Sequence, residues 1–361
     1  MDLRRNTYII AEAGVNHNGS LDMAIQLVDE AAKAGADAVK FQTFRAELLV
    51  TPQAAMADYQ IQNTGLAETQ YQMLKKLELN ESDYRNLIKH CSDKKIDFIS
   101  TPFDMESADL LIDDFKLNVI KISSGDITNA PLLLRIANAG KQVILSTGMS
   151  ILSDVEAALA VLAYGYSQKG LPKTIKDVDA AYSSLEGQTH LAEHVRLLHC
   201  TTEYPAPLHE VNLRAMDTLR SAFGLDVGYS DHTEGIFMAI AAVARGASII
   251  EKHLTLDQTL PGPDHIASLE PADFALMVKY IRDTELALGK PAKIVTPSEQ
   301  KNKYIARKSI VAARKITKGE TFTPENLITK RPGEGVSPIY YWDYLGQPAD
   351  RDYEQDELIG L

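Results

Sequence analysis

Short apolar runs alternate with amphipathic, Ala- and Leu-rich segments from the N-terminus to about residue 290, and this regularity constrains the fold more than any other feature. A strand followed by a helical crossover leads to a parallel neighbouring strand. Eight β-type runs with helical candidates between them predict an α/β fold, a (β/α)8 or TIM barrel, over residues 1–290. The predicted strands are Tyr8–Ala11, Ala38–Gln42, Asp97–Thr101, Val119–Ile122, Val143–Ser146, Val195–His199, Asp226–Tyr229 and Ser248–His253.

A doubly wound sheet is the competing arrangement. It is disfavoured because no Gly-x-Gly-x-x-Gly turn follows the first strand. Residues 164–188 lack clear periodicity and are interpreted as surface structure without an assigned role. The predicted helices are Ser20–Ala34, Asn80–Ser92, Pro131–Ala139, Asp154–Ala163, Gly235–Arg245 and Pro271–Leu288.

The pattern changes after Gly289. A polar stretch leads into short β-like pieces punctuated by Gly and Pro. We therefore expect a linker over residues 291–305 and a small β-rich domain over residues 306–361. A domain of that size buries little apolar surface, so docking on a barrel or a partner subunit would help to stabilise it.

Charge and cysteine content exclude several classes of partner. The 37 basic and 49 acidic residues give a net charge of −12, which offers no general cationic field for nucleic acid or an anionic membrane. No apolar stretch is long enough to span a bilayer, and no signal peptide is recognisable. The only cysteines, Cys91 and Cys200, lack metal-type spacing. We expect a soluble protein of the cytoplasm that acts on small molecules.

Polar side chains follow the predicted strand ends, where the strands of a barrel converge on one pocket. Lys40 and Lys121, together with nearby serines, are suited to bind an anion such as a phosphate. The ordinary alternative for each lysine is a side chain that extends to solvent. The strand-end set comprises Glu12, Lys40, Gln42, Thr101, Lys121, Ser124, Ser146, Thr202, Tyr204, Ser230, His232 and His253, with Asp264 in the loop beyond.

His232 and His253 end strands that are neighbours in the predicted barrel. Two imidazoles with open positions for water and substrate form a Lewis-acid metal site rather than a closed structural one. His194 and His199 are interpreted as packed or surface residues. Glu12 and Asp126 are acidic groups at the same rim, available either as proton acceptors or as ion-pair partners of the lysines.

Several motifs in a fixed order resemble those of the sialic acid synthases, over nearly the whole chain. Residues 312–361 are similar to the small antifreeze-like (SAF) domain at the C-terminus of those enzymes. The motifs are Ile10–Gly19, Val39–Thr43, Ser100–Phe103, Lys121–Gly125, Leu145–Met149, Leu198–Pro205, Tyr229–His232 and Gly262–Pro271.

The resemblance implies an enzyme that condenses phosphoenolpyruvate with the open-chain aldehyde of an N-acylated amino sugar and releases phosphate. It implies that His232 and His253 bind a divalent metal, Mn²⁺ with Mg²⁺ or Co²⁺ as alternatives. It also implies a homodimer in which Arg331 of the SAF domain enters the partner's active site. By the same resemblance, Lys40, Thr101, Lys121, Ser124, Ser146, Thr202 and Ser230 surround phosphoenolpyruvate, Gln42, Asn63, Tyr204, Asp264 and Arg331 the sugar, and Glu12 and Asp126 are catalytic.

Two positions depart from the family pattern. Thr202 stands where an asparagine is expected, and Asp126 where a glutamate is expected. Because aspartate is shorter than glutamate, we expect Asp126 to reach the reacting carbon only through a water molecule.

Among the sugars that the family uses, the resemblance favours N-acetylmannosamine, with N-acetylneuraminate as the product. The alternative is an N,N'-diacetyllegionaminate synthase that acts on 2,4-diacetamido-2,4,6-trideoxymannose. Two hypotheses from other functional classes remain. One is an aldolase that uses Lys40 or Lys121 as a Schiff base, and the other is a non-catalytic sugar-binding protein.

Overall fold

The computed structural model describes residues 6–58, 60–61 and 68–360. The chain divides into two compact units, Met1–Gly289 and Lys290–Leu361. Among the described residues, no helix combines the length and the apolar composition that a bilayer span needs.

In the part of the chain that the structure describes, the first unit is built on eight parallel strands. Their hydrogen-bonded order is β3-β2-β1-β8-β7-β6-β5-β4, and the two end strands are neighbours in space, which confirms the predicted barrel. The strands are β1 (Tyr8–Gly14), β2 (Ala38–Thr43), β3 (Asp97–Pro102), β4 (Val119–Ile122), β5 (Gln142–Ser146), β6 (Val195–His199), β7 (Val227–Asp231) and β8 (Ile249–His253).

Strand alternation separates two faces. Residues such as Ile10, Ile99 and Ile249 fill the barrel interior, whereas their neighbours Ile9 and Ile250 pack toward the helices. The polar residues of the rim lie above these apolar side chains, at strand positions that also point into the barrel. Strand length and parity therefore decide which side chains reach the C-terminal end of the barrel.

Helices cover the outer face of the strands. The first helix has a capping residue at each end: the Ser20 side chain accepts a hydrogen bond from the Met23 N–H, and Gly35 ends the helix at a φ of 86°. The α-helices described in this unit are α1 (Leu21–Ala34), α2 (Ala46–Leu49), α3 (Gln70–Leu77), α4 (Glu81–Lys94), α5 (Met105–Asp109), α6 (Ala130–Asn138), α7 (Leu152–Ser167), α8 (Ile175–Tyr182), α9 (Leu185–His194), α10 (Ala215–Phe223), α11 (Phe237–Ala244) and α12 (Pro271–Leu288).

Residues 164–188 are more ordered than the sequence indicated, since they hold the end of α7, all of α8 and the start of α9. Val178 and Ala181 of α8 pack in a small cluster with Leu134, Ala160 and Tyr164. Two buried positions on one short helix are too few to produce a readable period.

The second unit pairs two antiparallel strands, β9 (Ser309–Ala312) and β10 (Leu327–Lys330). Its own core contains Ile310, Ile316, Phe322 and Tyr353. Its helices include α13 (Pro297–Ala306) and α14 (Tyr341–Tyr344), and α13 occupies most of the segment predicted as a linker.

Candidate active site

A cavity of about 550 Å³ opens at the C-terminal ends of the eight strands, and we call it the rim cavity. Its volume suits one or two small metabolites. Asn63 lies outside the described residues, and Arg331 is an exposed residue of the second unit. The other predicted site residues all line the rim cavity: Glu12, Lys40, Gln42, Thr101, Lys121, Ser124, Asp126, Ser146, Thr202, Tyr204, Ser230, His232, His253 and Asp264.

Glu251 is a rim residue that sequence reasoning missed. It is 4% exposed, and its Oε1 accepts hydrogen bonds from Ser230 Oγ at 2.8 Å and Lys121 Nζ at 3.2 Å. Its burial would raise the carboxyl pKa, but Lys121 and Lys40 outweigh that effect and hold the pKa of Glu251 below its ordinary value. The sequence did contain a signal for this residue. Glu251 precedes His253 by two residues on β8, so the two side chains must lie on the same face of the strand.

Lys40 and Lys121 are 4% and 3% exposed, so the interpretation of solvent-seeking lysines is wrong for both. Lys40 Nζ lies 2.5 Å from Glu12 Oε2, 3.5 Å from Glu251 Oε2 and 3.3 Å from Thr101 Oγ1. Of the two interpretations of Glu12, the ion pair with a lysine is therefore the arrangement in the structure. Burial opposes the charge on Lys40, yet the two carboxylates raise its pKa above the ordinary value.

The four charged groups Glu12, Lys40, Lys121 and Glu251 form one buried network. Burial raises the pKa of Glu12 to about 7, against the opposing effect of Lys40. Burial, joined by repulsion from Lys40, lowers the pKa of Lys121 despite its pairing with Glu251. A carboxyl group that titrates near neutrality, beside two cations and a cavity, is suited to accept or donate a proton during a reaction.

The two strand-end histidines face each other across the cavity wall, with ring centroids 5.6 Å apart. His232 Nδ1 lies 2.6 Å from the Thr201 carbonyl oxygen. Since a carbonyl only accepts, Nδ1 carries the proton and Nε2 keeps its lone pair. Burial lowers the pKa of His232 to about 4 and that of His253 well below its ordinary value, so both imidazoles are neutral.

His253 Nδ1 is buried and has no hydrogen-bond partner among the residues that the structure describes. The Tyr204 ring flanks both imidazoles, with centroid distances of 4.2 Å to His232 and 5.6 Å to His253. Neutral imidazoles with available lone pairs, beside carboxylates, form a donor set that divalent transition metals accept. The residues present thus fit the metal that the resemblance implies.

The backbone of Gly148, in the loop after β5, closely approaches two hydroxyl groups that line the cavity. Its N–H donates to Ser124 Oγ at 2.9 Å. A Cβ atom at this position would lie 2.3 Å from Thr202 Oγ1 and 2.8 Å from Ser124 Oγ, so only glycine fits. Within the described chain, Thr202 Oγ1 is buried without a hydrogen-bond partner. A hydroxyl without a partner beside a second hydroxyl is suited to phosphate oxygens.

The rim carboxylates of Asp126 and Asp264 differ in the hydrogen bonds described for them. Asp126 accepts hydrogen bonds from Ser123 Oγ at 2.7 Å and from Asn129 Nδ2 at 3.2 Å, within one turn after β4. Burial raises the pKa of Asp126 against these bonds. Asp264 is buried in the loop after β8, and its burial raises the pKa to about 6.

One side of the rim cavity is apolar, which the sequence did not indicate. Val15, Met73, Leu74 and Leu77 belong to a hydrophobic cluster beside β2 and also line the cavity, together with Leu49 and Val50. This wall comes from Val15 after β1, from the end of α2 with the adjoining Val50, and from α3, whose positions depend on tertiary packing. A ligand in the cavity therefore meets charge on one side, and on the other it meets mainly methyl groups together with the amides of Gln60 and Gln70.

Comparisons with known proteins agree with this geometry. The NeuB family model matches residues 27–293, and the SAF domain model matches residues 307–360. The N,N'-diacetyllegionaminic acid synthase of Campylobacter jejuni is 48% identical over 98% of this chain and 99% of that protein. The protein of the same name from Legionella pneumophila is 43% identical over 94% of this chain and 89% of that protein.

Among solved structures, the N-acetylneuraminic acid synthetase of Leptospira borgpetersenii in complex with citrate is similar to this chain. Its TM-score is 0.66 at 32% identity, and the match covers 82% of this chain and 90% of that chain. The two relatives named for legionaminic acid are thus more similar in sequence than this one named for sialic acid.

Proposed function

Because this chain belongs to the NeuB family, we propose that it condenses phosphoenolpyruvate with the open-chain aldehyde of 2,4-diacetamido-2,4,6-trideoxymannose, giving N,N'-diacetyllegionaminate and phosphate. The observation that carries the proposal is the 48% identity to a legionaminic acid synthase along the full chain. The sequence alone had favoured N-acetylmannosamine, and the comparisons support the alternative better.

The apolar wall of the rim cavity supports the same choice on physical grounds. The trideoxy sugar carries a C6 methyl group and two acetamido methyl groups, where N-acetylmannosamine has a C6 hydroxyl and one acetamido group. Leu49, Val50 and Leu74 line the cavity without offering side-chain hydrogen bonds. A methyl group gains from such a wall, whereas a hydroxyl group loses its water there.

Phosphoenolpyruvate would bind between the two lysines and a group of hydroxyls, those of Ser124, Ser146 and Thr202, which we call the hydroxyl cradle. Lys40 and Lys121 supply charge, and Ser124, Ser146 and Thr202 supply directional hydrogen bonds. With both carboxylates ionised, the buried network has two positive and two negative groups. Substrate binding would let Lys40 and Lys121 exchange their carboxylate partners for phosphate oxygens, which leaves Glu12 ionised and able to accept a proton.

His232 and His253 would hold the divalent metal, proposed as Mn²⁺ with Mg²⁺ or Co²⁺ as alternatives, which when bound polarises the sugar aldehyde oxygen. Carbon C3 of phosphoenolpyruvate attacks the aldehyde carbon, and the aldehyde oxygen ends as a hydroxyl. Water then adds at C2, and phosphate leaves by C–O cleavage from the tetrahedral intermediate. Lys40 and Lys121 neutralise the departing phosphate.

The water that adds at C2 must lose a proton, and the geometry favours Glu12 as its acceptor. Glu12 has a pKa raised to about 7, and apart from its ion pair with Lys40 its oxygens are without hydrogen bonds in the described structure. Asp126 has the competing claim, but Ser123 and Asn129 already hold its two oxygens.

A Schiff-base aldolase would need a free, deprotonated lysine. The lowered pKa of Lys121 points in that direction, but its contact with Glu251 at 3.2 Å keeps the ammonium form paired. Trapping of a lysine adduct by borohydride with pyruvate, in the presence of a chelator, would support that second reading.

We also propose a homodimer in which Arg331 reaches the partner's sugar site. Mixing an Arg331→Ala protomer with a His232→Ala protomer tests it. Recovery of activity in the mixed dimer supports shared sites, and its absence despite confirmed exchange supports sites made within one chain.

The deciding experiment is phosphate release from phosphoenolpyruvate with Mn²⁺, run in parallel with both sugars and with product mass recorded. We expect the diacetamido sugar to give the higher kcat/KM. A preference for N-acetylmannosamine would return the function to N-acetylneuraminate synthesis. Absence of release with both sugars would leave a phosphorylated or a pseudaminic-type sugar as the substrate, or the hypothesis of a non-catalytic sugar-binding protein.

A further inference from the structure

Helix α9 carries two histidines and a glutamate on one face, outside the rim cavity. His190, Glu193 and His194 each place one donor atom within 4.8 Å of the other two. Their spacing of three and four residues puts them side by side on the helix surface. The sequence pattern alone indicates a packed or surface role for His194, and the proposed function makes no use of this residue.

His194 is held in one orientation. Its Nδ1 lies 3.0 Å from the His190 carbonyl oxygen and therefore carries the proton, which leaves the Nε2 lone pair available. Its ring stacks on Tyr166 at 4.7 Å, and the Tyr166 hydroxyl donates to the Lys141 carbonyl oxygen at 2.7 Å. A backbone bond to the non-ligating nitrogen is the arrangement that metal-binding histidines commonly show.

His190 supplies the second, independent observation. Its Nδ1 is buried and has no hydrogen-bond partner among the described residues, and it lies 4.0 Å from Glu193 Oε2. A buried polar atom without a partner is unfavourable. A cation between this nitrogen and the carboxylate would satisfy both groups.

We propose that His190, Glu193 and His194 bind a borderline divalent cation of the Zn²⁺ or Ni²⁺ class. Two imidazoles and one carboxylate suit these ions, whereas Ca²⁺ and Mg²⁺ prefer all-oxygen sites. Metal bonds of about 2 Å require donors roughly 3–3.5 Å apart, so the partly exposed side chains need only modest rotation.

The position of the site on the helix gives binding a structural consequence. The three ligands span the last turns of α9, directly before β6 begins at Val195. A cation at the C-terminal end of a helix also interacts favourably with its dipole. Binding ties these turns together and therefore favours the folded segment by mass action.

Calorimetric titration of the chelator-treated, tag-free full chain with Zn²⁺ tests this site. The variant His194→Asn should lose one equivalent of bound Zn²⁺, or at least about tenfold in affinity for it, while its phosphate release stays unchanged. Glu193→Gln keeps both imidazoles and should weaken the same equivalent by a smaller factor. Running the titration in a His232→Ala, His253→Ala background removes both proposed metal ligands of the rim cavity.

His209 provides the matched control. It is an exposed histidine whose Nε2 lies 3.5 Å from the Glu210 carboxylate, and among the described residues it belongs to no group of three potential metal ligands. His209→Asn should leave Zn²⁺ binding intact. The proposal is overturned when the His194→Asn protein, shown to be folded by circular dichroism, binds Zn²⁺ with wild-type stoichiometry and affinity. It is equally overturned when His209→Asn causes the same loss as His194→Asn.

Discussion

Two buried charge clusters meet at β8, through the adjacent residues Glu251 and Lys252, and they differ in what they can do. Facing the helices, Lys252 Nζ lies 3.1 Å from Asp231 Oδ2, and both side chains are completely buried. Thr233 closes this outer pair, because its N–H and hydroxyl donate to Asp231 Oδ1 at 2.9 and 2.7 Å and its carbonyl accepts from Lys252.

The inner cluster faces the rim cavity with Glu12, Lys40, Lys121 and Glu251. It has similar burial but opens onto space for ligands, and Glu12 keeps oxygens without hydrogen bonds in the described structure. The outer pair can stabilise only the strand ends that carry His232 and His253. The inner cluster can exchange its partners for substrate, so strand parity separates stability from chemistry.

The largest expected effect comes from breaking the outer pair. Lys252→Met leaves Asp231 buried without its cation and should lower the free energy of unfolding by about 3–5 kcal/mol. Denaturant unfolding followed by circular dichroism measures it. Lys279→Met removes the exposed ion pair with Asp283 and should lower the free energy of unfolding far less, because solvent screens that pair.

The double variant Lys252→Met with Asp231→Leu sharpens this test. It replaces both charges with apolar groups and should recover most of the lost stability. A cost for Lys252→Met no larger than that of Lys279→Met would show that the outer pair has no special structural role.

The inner side should respond in activity rather than stability. His232→Ala removes a proposed metal ligand, and phosphate release should fall by roughly 10²–10³-fold while the unfolding free energy stays within about 1 kcal/mol. Single-turnover phosphate release at saturating Mn²⁺ measures the loss. A near-normal single-turnover rate constant would remove His232 from the metal site.

Gly148→Ala tests the hydroxyl cradle without changing any charge. The added Cβ would lie 2.3 Å from Thr202 Oγ1, so the KM for phosphoenolpyruvate should rise by about tenfold or more. Gly125→Ala is the matched control in the same cavity, since its Cβ meets only Ser123 Oγ at an ordinary 3.6 Å. Equal effects of the two substitutions would place the phosphate elsewhere.

The strand-and-helix period predicted the barrel, and strand-end position predicted most rim residues. Glu251 was not predicted as a rim residue because it adjoins Lys252 and had not been assigned to a face of β8. It lies two residues before His253 on that strand, so the two side chains share a face. Gly148 was not predicted because a close backbone approach cannot be recognised from the residue type alone. The apolar wall from Met73 to Leu77 could not be predicted, since only tertiary packing brings α3 to the cavity.

The smallest expected effect is that of Asp126→Asn. Asparagine keeps the size of the side chain and one acceptor oxygen, so the turn closed by Ser123 and Asn129 should survive. If Glu12 accepts the proton of the attacking water, kcat should fall by less than about tenfold. Removing a general base costs about 10²–10⁴-fold. A loss in that range, with unfolding unchanged, would move the base from the inner ion-paired cluster to Asp126 and make the hydrogen-bonded carboxylate the reactive one.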